Sequence, residues 1–207
     1  MVAMPLDSEL QERLARRVAE AERRTRAEFV TVVARRASRP GPELALAAAL
    51  LALALAGLLW ASGLVRDFPR LYLLQAGIML LAALAYLWPP ASLALPPRKR
   101  RRAEVRALAE ASFTRLGLHR TGTRGGVLLF VALAERQVEI LADEAATLAL
   151  PEDTWSRAVE IFTRELGQGD LDGGFAVTLN FLAERLAQAL PRLPGDQNEL
   201  ADRLVVL

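Results

Sequence analysis

The sequence predicts an α/β domain that is interrupted, after its first strand, by a two-helix transmembrane hairpin. Three observations lead there. Two uncharged Leu/Ala-rich runs, residues 44–65 and 71–95, follow one another in the 207-residue chain. Short apolar runs of strand character, residues 29–33 and 126–134, stand on either side of them. Stretches with apolar residues at helical spacing flank both strands. Mean hydropathy is +0.22 although 24% of the residues are charged, so apolar and charged residues are segregated along the chain.

The first element is an amphipathic helix over residues 6–27. Leu6, Leu10, Leu14, Val18 and Ala21 recur on one face, Ser8 and Gln11 can form a capping box, and Glu and Arg fill the other face. Phe29 to Val33 is β-branched, apolar and short, the pattern of a strand. One helix and one strand cannot bury a core, so their partners must lie beyond the apolar runs. Each run is close to the roughly 20 residues that cross a hydrocarbon core of roughly 30 Å. Neither has a polar face. Trp60, Tyr72, Tyr86 and Trp88 lie towards the run ends, where amphipathic rings favour the membrane interface.

The connection "RDFPR", residues 66–70, is short enough to make the spans an antiparallel hairpin. Arg35, Arg36 and Arg39 precede the first span, and Arg98, Lys99, Arg100, Arg101 and Arg102 follow the second. The connection holds two Arg and one Asp. This excess of positive charge on the outer flanks places both in the cytoplasm and makes the chain a multi-pass protein of the bacterial inner membrane, with N- and C-termini cytoplasmic. The cluster at 98–102 then reads as a topology anchor near anionic headgroups, each charge contributing about 1 kcal/mol. No aromatic residues are interleaved with it as a base-stacking platform needs, so the bilayer is the expected partner and nucleic acid is not.

Beyond the cluster, Val105, Leu108, Ala109, Ser112, Phe113 and Leu116 trace a helix that Gly117 ends. "GLHRTGTRGG" is a loop. The run 126–134 suits a buried central strand, Glu135 and Arg136 a turn, and Val138, Ile140 and Ala142 alternate on a second strand, which makes a β-hairpin. Pro151, Glu152 and Asp153 open a helix with Trp155, Val159, Phe162 and Leu166 on its buried face and Gly167 at its end. A loop carrying Asp170 and Asp172 leads to a last helix with Phe175, Leu179, Leu182, Leu186 and Leu190 in register, stopped by Pro191. The organisation is therefore residues 1–40, the first helix and strand; 41–97, the membrane hairpin; 98–191, the remainder of the domain; and 192–207, a tail that holds at most a short helix.

Composition removes several chemistries. There is no Cys, which excludes thiolate catalysis, disulfides and Cys-ligated zinc. His119 is the only histidine, so a multi-His metal site cannot form in one chain. The N-terminus turns charged within ten residues and lacks the apolar stretch of a secretory signal. Net charge is only +2, so the basic character is local. Arg120, Arg124 and the glycines of the 117–126 loop could receive an anion, but the Lys-Ser/Thr ending of a phosphate-binding P-loop is absent.

"GGVLLFVALAERQVEILAD", followed by "TWSRAVEIFTRELGQGDLDGGFAVTLNFLAERLAQALP", resembles the TPM domain family in the order and spacing of its elements. "TRAEFVTVVA" looks like the family's first helix-to-strand step. The resemblance implies a three-layer α/β/α sandwich, here interrupted by the transmembrane hairpin. Relatives include an acid phosphatase, and some bind calcium. Where secreted relatives read Asp-Asn-Gly before the central strand, this chain has Arg124, Gly125 and Gly126; where they read Gly-Tyr-Gly-Glu after the second strand, it has "LADEAA". Metal-assisted phosphate ester hydrolysis needs clustered carboxylates around a hard cation such as calcium or magnesium. The candidates are Asp143 and Glu144 at a strand end, with Asp170 and Asp172 in the Gly-rich loop. With no cysteine or histidine pair to act as nucleophile and base, no complete catalytic constellation can be drawn. The expected role is a non-catalytic interaction or assembly module at the membrane, meeting another membrane or membrane-associated protein; the alternative is a membrane-tethered, metal-dependent acid phosphatase.

Overall fold

The computed structural model describes residues 8–38, 42–64, 67–87, 97–194, 196, 198–200 and 204–207. The chain divides into two units, Met1–Ala37 with Arg102–Leu207, and Ser38–Arg101.

The first unit is built on a four-stranded sheet of order β3-β2-β1-β4. Its strands are β1 (Glu28–Ala34), β2 (Gly126–Ala132), β3 (Gln137–Ala142) and β4 (Leu204–Val206). β1 runs parallel to β2, with Val32 opposite Phe130, and parallel to β4, with Val32 opposite Val205. β2 and β3 form the antiparallel hairpin, Leu129 opposite Ile140. β1 and β2 are buried along their whole length, which is why both read as continuous apolar runs rather than alternating ones.

Helices cover both faces. Residues 29, 33, 127, 129 and 131 share a core with Leu14 of α1 (Ser8–Glu22), Phe162 of α6 (Glu152–Gln168) and Leu182 of α7 (Leu171–Ala189). Val30, Val32, Leu128 and Phe130 share the second core with Val105 and Ala109 of α4 (Arg98–Arg115) and with Leu118 of the short 3-10 turn Leu118–Arg120. Phe162 and Phe175 meet edge to face at 4.8 Å in the first core. The two-residue alternation of β1 and β2 thus feeds two different helix layers.

Several boundaries differ from the sequence expectation. α1 stops at Glu22 instead of running to 27, because the following residues bond elsewhere: the Thr25 hydroxyl and the Arg26 N–H both donate to the Leu190 carbonyl, and the Phe29 N–H donates to Glu22 Oε1 at 2.8 Å. α6 runs through Gly167 and ends at Gly169, which takes the left-handed conformation (φ 85°) that closes a helix and favours glycine. Its buried stripe is Thr154, Ala158, Phe162 and Leu166, so Trp155 and Val159 sit at the flank. "EAATLA" forms a short helix, α5 (Glu144–Ala149), and the tail supplies β4 instead of a helix.

The second unit holds α2 (Pro42–Ala61) and α3 (Phe68–Leu87), which pack against each other. Ala52 and Ala56, one turn apart on α2, are buried, while Leu51, Trp60 and Tyr72 are 69%, 62% and 72% exposed. Asp67 and Arg70 pair at the start of α3. The expected spans, 44–65 and 71–95, are corrected in extent: the helices are Pro42–Ala61 and Phe68–Leu87, and Trp88 and residues 89–95 lie outside the described residues. Among the described residues no helix is long and apolar enough to cross a membrane. The structure therefore gives an apolar helical pair and does not by itself support a transmembrane hairpin.

Candidate functional site

Polar groups gather at the end of the sheet where β1 and β2 begin and β3 ends. The loop before β2 is shaped by Gly117 (φ 79°) and by Arg124 (φ 53°), a conformation uncommon for a residue with a Cβ. It is tied on both sides. The Glu28 N–H donates to the Gly125 carbonyl, the Thr123 hydroxyl to the Arg26 carbonyl, the Ala145 N–H to the Arg124 carbonyl, and the Asp143 N–H to the Gly126 carbonyl. With its backbone so held, Arg124 extends its guanidinium across the two acids that close β3. Nε lies 2.8 Å from Asp143 Oδ2, and one terminal nitrogen lies 3.2 Å from Asp143 Oδ1 and 3.4 Å from Glu144 Oε2. Asp143 is buried, and the Arg124 guanidinium lies against both of its oxygens, donating a hydrogen bond to Oδ1.

The other two candidate carboxylates belong elsewhere. Asp170 is the N-cap of α7, its Oδ1 accepting the Gly173 N–H at 2.7 Å. Asp172, in the first turn, lies 3.3 Å from Arg13 and 3.3 Å from Arg17 and so ties α7 to α1. Leu190, at the far end of α7, bonds to Thr25 and Arg26 beside the Arg124 loop. Asp172 is about 27 Å from Leu190 along the helix axis. The structure thus joins Asp143 with Glu144 but does not bring Asp170 or Asp172 to them. Among the described residues no group of three or more His, Asp or Glu is placed to hold a metal ion.

A cleft of about 610 Å³ opens beside the same loop, lined among others by Glu22, Arg26, Glu28, Gly122, Asp196 and Glu199. Sequence reasoning singled out the glycines of this loop but not their partners. Glu199 is 77 residues from Gly122, and nothing local marks the pair. Of the residues named beside them for anion binding, Arg120 donates from Nε to His119 Nε2 at 3.3 Å, and Arg124 is committed to Asp143 and Glu144.

Replacing Arg124 by Ala is expected to lower stability by about 1–2 kcal/mol. The buried Asp143 loses its donor, and the half-exposed position of Arg124 keeps the loss at the low end. Asp143→Asn in the same chain should recover part of it. Chemical denaturation of the two variants checks both.

Arg98, Lys99, Arg100, Arg101 and Arg102 form the first turns of α4, with no acid among them. Further along, Glu139 of β3 lies 3.8 Å from Arg106. Burial pushes its carboxyl above the usual glutamate range; Arg106 and Arg102 pull it down, and Glu110 pushes it up. A raised folded-state value means that the native protein holds this proton more tightly than the unfolded chain. The stabilisation is fully present below the ordinary glutamate range and is lost as pH rises through the raised value. Glu139→Gln should therefore gain stability relative to the parent chain as pH rises through that window, an outcome that melts at several pH values would show.

A family model described as TPM domain matches residues 98–185, less than half of the chain. Among solved structures, the NMR structure of the BA42 protein from the psychrophilic bacterium Bizionia argentinensis aligns with a TM-score of 0.63 at 14% identity, covering 100% of this chain and 99% of that one. At that identity the likeness is one of fold, a mixed α/β arrangement around a four-stranded sheet. No curated protein matches the chain.

Proposed function

We propose that this chain is an integral protein of the cytoplasmic membrane, with the α2–α3 hairpin in the bilayer and the TPM-like α/β/α sandwich in the cytoplasm as a non-catalytic interaction or assembly module. The observation that carries the reading is the surface of the hairpin. Leu46, Leu51, Leu58, Trp60, Tyr72 and Leu81 are each exposed by 61% or more. They are spread over both helices instead of forming one stripe. Soluble monomers rarely show apolar patches of more than a few hundred Å². Covering each such Leu is worth about 1.5–3 kcal/mol, and hydrocarbon covers all of them at once.

The basic cluster supports the same reading. A helix N-terminus favours acids, and each misplaced charge there costs about 0.3–1 kcal/mol. Five cations in the first turns of α4 run against that preference. A nearby anionic headgroup layer offsets it and holds both flanks of the hairpin on the cytoplasmic side.

Interaction is favoured over hydrolysis because the candidate carboxylates already have cationic or backbone partners: Arg124 for Asp143 and Glu144, Arg13 and Arg17 for Asp172, and the Gly173 N–H for Asp170. Membranes from expressing cells, washed with alkaline carbonate and floated on a density gradient, test the proposal. The protein should stay with the floating fraction; recovery in the carbonate wash overturns the membrane assignment. Hydrolysis of an aryl phosphate that requires added calcium or magnesium and disappears in Asp143→Asn would overturn the non-catalytic part.

A further inference from the structure

We infer that the α/β unit docks on anionic phospholipid headgroups with one end of its sheet, the end where β1 and β2 finish and β3 begins, through Arg35 and Arg136 with Arg102 beside them. The inference rests on the membrane reading and goes beyond the basic flanks of the hairpin, because it gives the α/β unit a lipid-facing surface of its own.

The topology gathers the cations. β1 and β2 are parallel and end level, Ala34 opposite Ala132. Arg35 follows the first strand, Arg136 stands in the turn after the second, and both are exposed. Among the described residues neither is in an ion pair. α4 runs opposite to β2. Its Arg106 lies 3.8 Å from Glu139, which pairs with Phe130, while after the helix the Leu118 carbonyl would meet a Cβ on Gly126, at the start of β2, at 2.6 Å. Arg102, exposed and one turn before Arg106, therefore lies towards the end of β2. Two acids share this end. Glu139 faces Arg106 and, in part, Arg102. Glu135 is 8% exposed, and both of its oxygens accept the Ala37 N–H at 3.2 Å.

The surface is built, not a loose fringe. The Leu133 N–H donates to the Ala34 carbonyl, the Ala134 N–H to the Arg35 carbonyl, and the Arg35 N–H to the Leu207 carbonyl, so Arg35 is held between the β2–β3 turn and the end of β4. Arg136 takes φ 52°, a conformation that glycine adopts without strain and a residue with a Cβ seldom does. The turn alone would be served by glycine; arginine adds an exposed guanidinium at its tip. Lipid is the occupant because of where the chain goes next. Residues 35–41 alone separate β1 from α2, a reach of at most about 25–30 Å. A hairpin in the bilayer therefore keeps this end of the sheet within reach of the headgroups, and guanidinium pairs with phosphate by two parallel hydrogen bonds.

The test uses the full-length protein in nanodiscs of phosphatidylglycerol or of phosphatidylcholine, with a dye on a single Cys at Ala134, in the turn beside Arg136. Quenching by acrylamide, which is uncharged, reads how far the turn is covered. The dye should be shielded in phosphatidylglycerol and open in phosphatidylcholine, and added salt should reopen it. Arg35→Gln and Arg136→Gly should each lower the docked population about fivefold, the contribution of one arginine near an anionic surface. Arg136→Gly also relieves the left-handed residue, so its melting temperature should stay level or rise, which separates lost docking from lost structure. The same dye on Asp153→Cys, at the exposed start of α6, should be quenched equally in both lipids. Equal quenching of the Ala134→Cys dye in the two lipids, or shielding in phosphatidylglycerol that survives both arginine replacements, overturns the inference. The flotation result does not depend on either outcome, so failure of the docking surface and failure of the membrane reading are told apart.

Discussion

A chain that begins at Ser38, lacking α1 and β1, is expected to show no cooperative unfolding transition from residues 102–207. β1 is an inner strand, hydrogen-bonded to β2 on one side and β4 on the other, so its loss strips the ladder from both. It also removes Phe29, Val32 and Val33 together with Leu14 and Val18 of α1, all at most 1% exposed and divided between the two cores. At about 1.5–3 kcal/mol each, these five side chains alone match the roughly 5–15 kcal/mol that stabilises a whole domain. Scanning calorimetry of the shortened chain in detergent makes the check. A transition for the remaining α/β residues with the enthalpy of an ordinary domain would show that residues 102–207 fold without the first strand.

Phe162→Ala is expected to cost about 3–5 kcal/mol, the range for a buried Phe whose surroundings cannot collapse. Phe162 is fully buried and meets Phe175 edge to face with ring planes at 87°. It also packs against the start of α7, where a Cβ placed on Gly174 would come within 3.0 Å of its ring. α6 and α7 therefore close on this ring, and removing it leaves a cavity between them. The melting temperature should fall by about 10 °C or more. Trp155→Ala, at the half-buried flank of the same helix, should cost clearly less. An equal loss at both positions would contradict the assignment of Phe162 to the centre of this core.

The parts of the fold that could be read in the sequence are those with strong periodicity. Leu10, Leu14 and Val18, the two apolar strands, the Glu135–Arg136 turn and the stripe Phe175, Leu179, Leu182 and Leu186 all fall where their spacing puts them. What escaped depends on contacts distant in sequence. β4 is three residues long and becomes a strand only because β1 offers an edge, so no alternation marks it. The end of α1 is set by Leu190, 165 residues from Thr25. α5 is a single short helix whose six residues carry no clear periodicity.

The candidate site divides in the same way. Asp143 and Glu144 stand together at the end of β3, where the sequence places them, whereas the residue that caps α7 is Asp170 and not Asp172. Asp172 turned out to hold Arg13 and Arg17, a pairing that no local pattern could announce. The cleft was invisible for a related reason: its walls come from residues distant in sequence, Glu22, Arg26 and Glu28 on one side and Gly122, Asp196 and Glu199 on the other.

In the proposed topology the apolar hairpin crosses the bilayer while the α/β unit stays on the cytoplasmic side. Because the chain contains no cysteine, a single Cys at Ser62, beyond the end of α2, or at Asp153, on the exposed start of α6, reports one position without background. Intact cells treated with a membrane-impermeant maleimide should label Ser62→Cys and leave Asp153→Cys unlabelled until the membrane is permeabilised. Labelling of Asp153→Cys in intact cells, or protection of Ser62→Cys until the cells are opened, would contradict the account.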